Sequence, residues 1–84
     1  MYITITKVDE VFFDGEAHSM SVPGAEGEMT VLGGHMPLIT TLKQGNIVVR
    51  LPTGQAGQIG EPEKIFPIQS GIIEVRRDGA TVIL

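Results

Sequence analysis

"YITITKV", Tyr2 to Val8, sets Ile3 and Ile5 against Tyr2, Thr4 and Thr6 in strict alternation. A period of two, rich in β-branched residues, is the signature of a half-buried strand. The same pattern recurs outward from it. "AHSMSV" (Ala17 to Val22) sends His18, Met20 and Val22 to one face and Ala17, Ser19 and Ser21 to the other. "EMTVL" (Glu28 to Leu32), "PLITTL" (Pro37 to Leu42), "NIVVRL" (Asn46 to Leu51), "KIFPIQ" (Lys64 to Gln69), "IIEVR" (Ile72 to Arg76) and "ATVIL" (Ala80 to Leu84) read as further strands. No stretch carries an apolar stripe of period 3.6 over ten residues, so helices are not expected.

Turn residues punctuate these strands. Asp14-Gly15 sits between apolar segments and predicts a hairpin, because glycine tolerates positive φ. Pro23-Gly24 suits the centre of a type II turn, and Gly33-Gly34, Gly45 and Arg77-Asp78-Gly79 mark further reversals. Pro67 has no N–H for a ladder and predicts an edge or a bulge. Pro52 to Glu63, "PTGQAGQIGEPE", is rich in glycine, proline and glutamine and is expected to form a flexible loop. Many short strands between frequent turns argue for an all-β fold, a β-sandwich or barrel, in a single domain over residues 1–84.

Size and charge narrow the function classes. At 84 residues the chain makes one small core, with a stability of a few kcal/mol. It has no cysteine, hence no disulfide and no thiolate metal site. Six Lys and Arg against ten Asp and Glu give a net charge of −4, and with no Trp, one Tyr and three Phe there is no basic, aromatic platform for nucleic acid. No apolar run approaches the ~20 residues of a membrane-spanning helix, and the N-terminus lacks a basic flank and an apolar stretch. A cytoplasmic protein without direct membrane insertion is expected, free to sit on something that is embedded.

The search for chemistry returns little. Ser19, Ser21 and Ser70 lie outside any nucleophile elbow, and His18 and His35 are the only histidines. A mixed metal site from His18, His35, Glu26, Glu28 or Asp14 matches no recognised ligand spacing. "PGAEG" and "GGH" are glycine-rich but lack the Lys-Ser/Thr and the following helix of a phosphate loop. Glu26 and Glu28 have nothing to desolvate them as an acid–base pair. Neither catalytic residues, cofactor nor metal are expected, which leaves a recognition surface. Met20, Met29 and Met36 are candidates for it, although at least two of them read as core.

"VPGAEGEMTVLGGHMPLITTLKQG" (Val22 to Gly45) resembles the signature of the epsilon subunit of bacterial F-type ATP synthase. That family shows Gly-x-x-Gly-Glu-Leu/Met-Gly, then Pro-Gly-His-x-Pro-Leu-Leu-Thr, then a Lys-Pro-Gly turn. "SGIIEVRRDGATVIL" (Ser70 to Leu84) is similar to its Ser-Gly-Gly-x-x-Glu-Val segment and following strand. Gly33 replaces the family's proline, Thr30 replaces a glycine, and the Pro52–Glu63 loop is longer than usual. The resemblance covers only the family's N-terminal β-sandwich domain, without its C-terminal helical hairpin. It implies a non-catalytic rotor subunit on the cytoplasmic face of the bacterial membrane. Such a subunit couples c-ring rotation through the gamma subunit to ATP synthesis. By motif match, Gly27, Glu28 and Met29 face the polar loops of the c-ring, while Gly34, His35, Met36, Pro37 and Thr40 lie against gamma. The alternative from another class is a stand-alone β-domain binding a ligand or metal through His18, His35 and nearby acids.

Overall fold

The computed structural model describes residues 1–34, 36–52 and 62–84. Nine strands follow in order among them: β1 (Tyr2–Lys7), β2 (Glu10–Glu16), β3 (Ser19–Gly24), β4 (Gly27–Leu32), β5 (Leu38–Leu42), β6 (Gly45–Arg50), β7 (Glu63–Ile68), β8 (Gly71–Arg76) and β9 (Gly79–Ile83). The described residues contain no helix. The strands form one hydrogen-bonded sheet, β2-β1-β9-β8-β5-β3-β6-β7 with β4 on β3, which folds over at the β5–β3 junction into two layers, a five-stranded sheet β2-β1-β9-β8-β5 and a four-stranded sheet β4-β3-β6-β7. All pairings are antiparallel except β1 with β9, which run parallel and join the first strand to the last.

The alternation predicted for β1 puts Ile3 and Ile5 wholly inside, and the other strands contribute Met20, Val22, Val31, Ile47, Val49, Ile73, Val75 and Val82 to the same core. Both sheets therefore close over one apolar layer. Among the described residues, strand pairing joins them at one corner, where Gly24 pairs with Leu42, Ala25 N–H donates to the Thr41 carbonyl (3.0 Å) and Lys43 N–H to the Pro23 carbonyl (2.9 Å). On the opposite seam, the edge strands β2 and β7 meet through Phe13 and Phe66, ring centroids 6.3 Å apart and tilted by 58°. The result is the expected sandwich, curled towards a flattened barrel.

Several turns fall elsewhere than predicted. Asp14-Gly15 is no hairpin: both residues lie inside β2, paired with Thr4 and Ile3. The reversal comes earlier, at Val8-Asp9, between Lys7 and its partner Glu10, and a bulge after Ile5 leaves Phe12 without an opposite number. Pro23-Gly24 likewise closes β3 rather than forming the turn, which is Ala25-Glu26. Positive φ belongs to Gly27 (+139°), whereas Gly24 is needed for closeness, since a Cβ there would stand 2.6 Å from the Gly27 carbonyl oxygen. Gly45 opens β6 instead of turning, and His18 is an exposed residue just before β3, not a member of its apolar face. Pro67 does lie on an edge strand. The sequence loop at Pro52–Glu63 lies mostly outside the described residues, and so does His35; its described ends are tied by Leu51 N–H to the Pro62 carbonyl (2.9 Å).

Candidate functional site

The hairpin of β3 and β4 positions the first group of candidate residues. Gly27 adopts its positive φ to leave the turn, and Glu28 and Met29 follow as the opening residues of β4 rather than as a loop. Strand alternation then separates their roles. Glu28 points outward and is exposed, while Met29 turns in and packs against the core. Thr40, in β5, lines the same surface hollow as Gly24, Glu26, Gly27, Glu28 and Met29. One member of the second group is thus brought beside the first. Lys43, Asn46 and Val48 border Glu28 on its other side.

The rest of the second group stands apart. Gly34 has φ +79° and donates its N–H to the Arg77 carbonyl (3.0 Å), which ties the β4–β5 connection to the β8–β9 turn. Five residue steps along the strand separate Gly27 from Leu32, about 17 Å at the usual rise, so the two groups occupy opposite ends of β4. Met36, 78% exposed, and Pro37 lie in that connection. Of the three methionines weighed as contacts, Met20 is core, Met29 packs on it, and only Met36 faces outward.

No three metal-ligating side chains converge among the described residues. Asp14 belongs to the five-stranded sheet beside Thr4, whereas Glu26 and Glu28 belong to the hairpin of the other. The titratable group with a distinct setting is Tyr2. Its phenol is held above the ordinary 10.0 by a hydrogen bond to the Asp14 carboxylate, then by burial and by the negative charges of Asp14 and Glu16.

Sequence reading missed a further feature, the outer face of the five-stranded sheet. Ile72 and Ile83 pair there with one another, 48% and 55% exposed. The signal was present in doubled apolar residues, Ile72-Ile73 and Val82-Ile83, which break the alternation expected of a strand with one face in water.

The family model for the ATP synthase delta/epsilon chain, beta-sandwich domain, matches residues 1–84. The chain belongs to that family. Among curated ATP synthase epsilon chains, it is 37% identical to that of Herminiimonas arsenicoxydans over 83 residues, covering 99% of this chain and 55% of the relative. It is 31% identical to that of Caulobacter vibrioides over 83 residues, covering 99% of this chain and 87% of the relative. The chain therefore spans about half the length of the first relative and most of the second. Among solved structures, a chain of the Euglena gracilis mitochondrial ATP synthase OSCP/F1/c-ring assembly superposes with a TM-score of 0.78 at 24% identity, over 96% of this chain and 48% of that one. A chain of the Tetrahymena thermophila mitochondrial ATP synthase central stalk and c-ring gives 0.76 at 13% identity, over 99% and 61%. At those identities the likeness is one of fold. The epsilon-family sandwich places Thr30, the departure from the family's glycine, on an outer strand face with its hydroxyl 3.3 Å from that of Ser21.

Proposed function

We propose that the chain is a non-catalytic central-stalk subunit of a proton-translocating F-type ATP synthase, without an active site of its own. The observation that carries this reading is the family match over all 84 residues. The two solved neighbours, which come from a c-ring-containing F1 assembly and from a central stalk with its ring, support it. The subunit would sit at the cytoplasmic face of the membrane as a peripheral component. No helix among the described residues is long and apolar enough to cross.

Its mechanical role follows from having contact surfaces on a stiff body. Gly27, Glu28 and Met29, at one end of β4, would meet the polar loops of the c-ring. Gly34, His35, Met36, Pro37 and Thr40 would lie against gamma. Torque delivered at the first surface reaches the second only if the body between them does not shear. Two sheets locked over a shared core resist that better than a single sheet. Exposed Glu28 fixes register with the ring rather than supplying much affinity, as rim charges do.

The test is assembly. Mixed with the cognate gamma subunit at micromolar concentration, the chain should elute with it as one complex on gel filtration. Separate elution of two folded proteins would overturn the proposal.

A further inference from the structure

Strand β4 ends the four-stranded layer and pairs with β3 alone among the described strands. The backbone groups it leaves for another strand follow from the parity of β3. Ala25 N–H donates to the Thr41 carbonyl and the Pro23 carbonyl accepts from Lys43, so odd-numbered positions of that strand bond towards β5 and β6. Met20, Val22 and Gly24 therefore bond Val31, Met29 and Gly27, and the N–H and C=O of Glu28, Thr30 and Leu32 point to the open edge. All three residues are exposed. The two ends of the sheet path are blunted by comparison. β2 is bulged and carries Glu10, Asp14 and Glu16, while β7 carries Lys64 and Pro67 and meets β2 through Phe13 and Phe66. β4 has no bulge, no proline and one charge, at Glu28. Such an edge is a template for a further strand.

We propose that β4 pairs with β4 of a second copy of this chain, antiparallel about a two-fold axis at Thr30. Self-complementarity selects this occupant. With Thr30 of one copy opposite Thr30 of the other, Glu28 lies opposite Leu32, and every outward N–H and C=O of the three residues meets a partner. The two threonines make a stabilising cross-strand pair, and no like charges face one another. Sliding the copies one way would set Glu28 against Glu28. Sliding them the other way would call on Gly34, whose N–H already serves the Arg77 carbonyl. In the Thr30 register the four-stranded layers of both copies run on as one sheet across the axis. A contact this narrow falls short of a standard interface of ~1,600 Å², so its Kd should be on the order of 10–100 μM. Glu28 and Met29 belong to the paired strand. On the rotor reading, on which this last step rests, they meet the c-ring, so the dimer is a holding form of subunit not yet assembled.

Sedimentation equilibrium of the full chain between about 1 μM and 1 mM should show a reversible monomer–dimer transition. Thr30→Lys sets two like charges face to face across the axis and should weaken it about tenfold or more. Thr30→Val keeps β-branching and the backbone bonds and should change it less than about threefold. The chain has no cysteine, so single replacements report the register. Thr30→Cys should cross-link on mild oxidation, since facing Cα atoms stand about 5.5 Å apart, within disulfide reach. Glu28→Cys should not, its two copies lying about 14 Å apart. A parent that stays monomeric throughout, or a dimer that Thr30→Lys leaves intact, overturns the pairing and leaves the stalk reading untouched. Cross-linking at Glu28→Cys and not at Thr30→Cys overturns the register. The oxidised Thr30→Cys dimer should fail to join gamma and the c-ring and should regain that ability on reduction. If the cross-linked dimer joins them as readily as the parent, the holding role falls. A parent that dimerises yet never binds gamma overturns the stalk reading and leaves the pairing standing.

Discussion

Tyr2 shows how much a single exposed side chain reports about its sheet. The phenol donates to Asp14 across β1 and β2, with Glu16 adding further negative charge, and each influence favours the protonated ring. The folded state therefore holds this proton more tightly than the unfolded chain does. That contribution to stability is complete below the ordinary 10.0 and is lost as pH rises from there through the higher folded value. Because Tyr2 is the only tyrosine, the tyrosinate absorbance of the folded protein reads it without ambiguity. The titration should lie above that of the unfolded chain, and Asp14→Asn should bring it down. Coincident curves for folded and unfolded protein would refute the contact.

At the scale of elements, polar side chains lace the outer face of the four-stranded sheet. The Thr30 and Ser21 hydroxyls lie 3.3 Å apart, Arg50 Nη1 donates to Ser21 Oγ at 3.1 Å, and Arg50 Nε meets Glu63 at 3.1 Å, so one chain of contacts crosses β4, β3, β6 and β7. Ser21 is the member with least access to water, 4% exposed. Its removal as Ser21→Ala should cost about 1 kcal/mol, seen as a lower urea midpoint at unchanged slope. An unmoved midpoint would mean that the chain of contacts holds nothing. Such cross-strand links explain what was legible and what was not. The strands themselves were readable because β-branched residues and period two act locally, as in Tyr2–Lys7. Turns were legible only in part: Gly33-Gly34 and Arg77-Asp78 do reverse the chain, but Asp14-Gly15 has the chemistry of a hairpin and is drawn into β2 by pairing with β1, and the real turn, Val8-Asp9, has no glycine to announce it. The parallel pairing of Ile3 with Ala80 has no local signature at all. For the same reason Ile72 and Ile83 become a pair only when their strands are laid side by side, whereas the hairpin at Gly27–Met29 and the connection at Gly34–Pro37 carry motif residues visible one after another.

For the whole molecule, the decisive property is that two sheets depend on one core. Among the described residues, strand pairing joins them only at the Gly24–Leu42 corner, yet Ile73 of β8 and Met20 and Val49 of the opposite sheet are all fully buried in the same cluster. A loss of packing on one side is therefore felt on the other. Ile73→Val, which removes one methylene without changing the strand preference, should cost about 0.5–1.5 kcal/mol. In a domain this small that is a sizeable part of the total. If the sandwich opens as one unit, the slowest-exchanging amides of β3 and β6 should speed up by the same factor as those of β1, β8 and β9. Acceleration confined to the five-stranded sheet would show two separately stable layers. A body that carries torque between a ring and a stalk cannot be built from layers that slip, so the exchange measurement tests the mechanical premise of the proposed function as well as the fold. Closing β1 onto β9 makes the same demand on folding, because that parallel pair forms only once the chain's two ends meet. The protection of Ile3, Ile5 and Val82 amides should accordingly vanish together with that of β3, in a single cooperative transition.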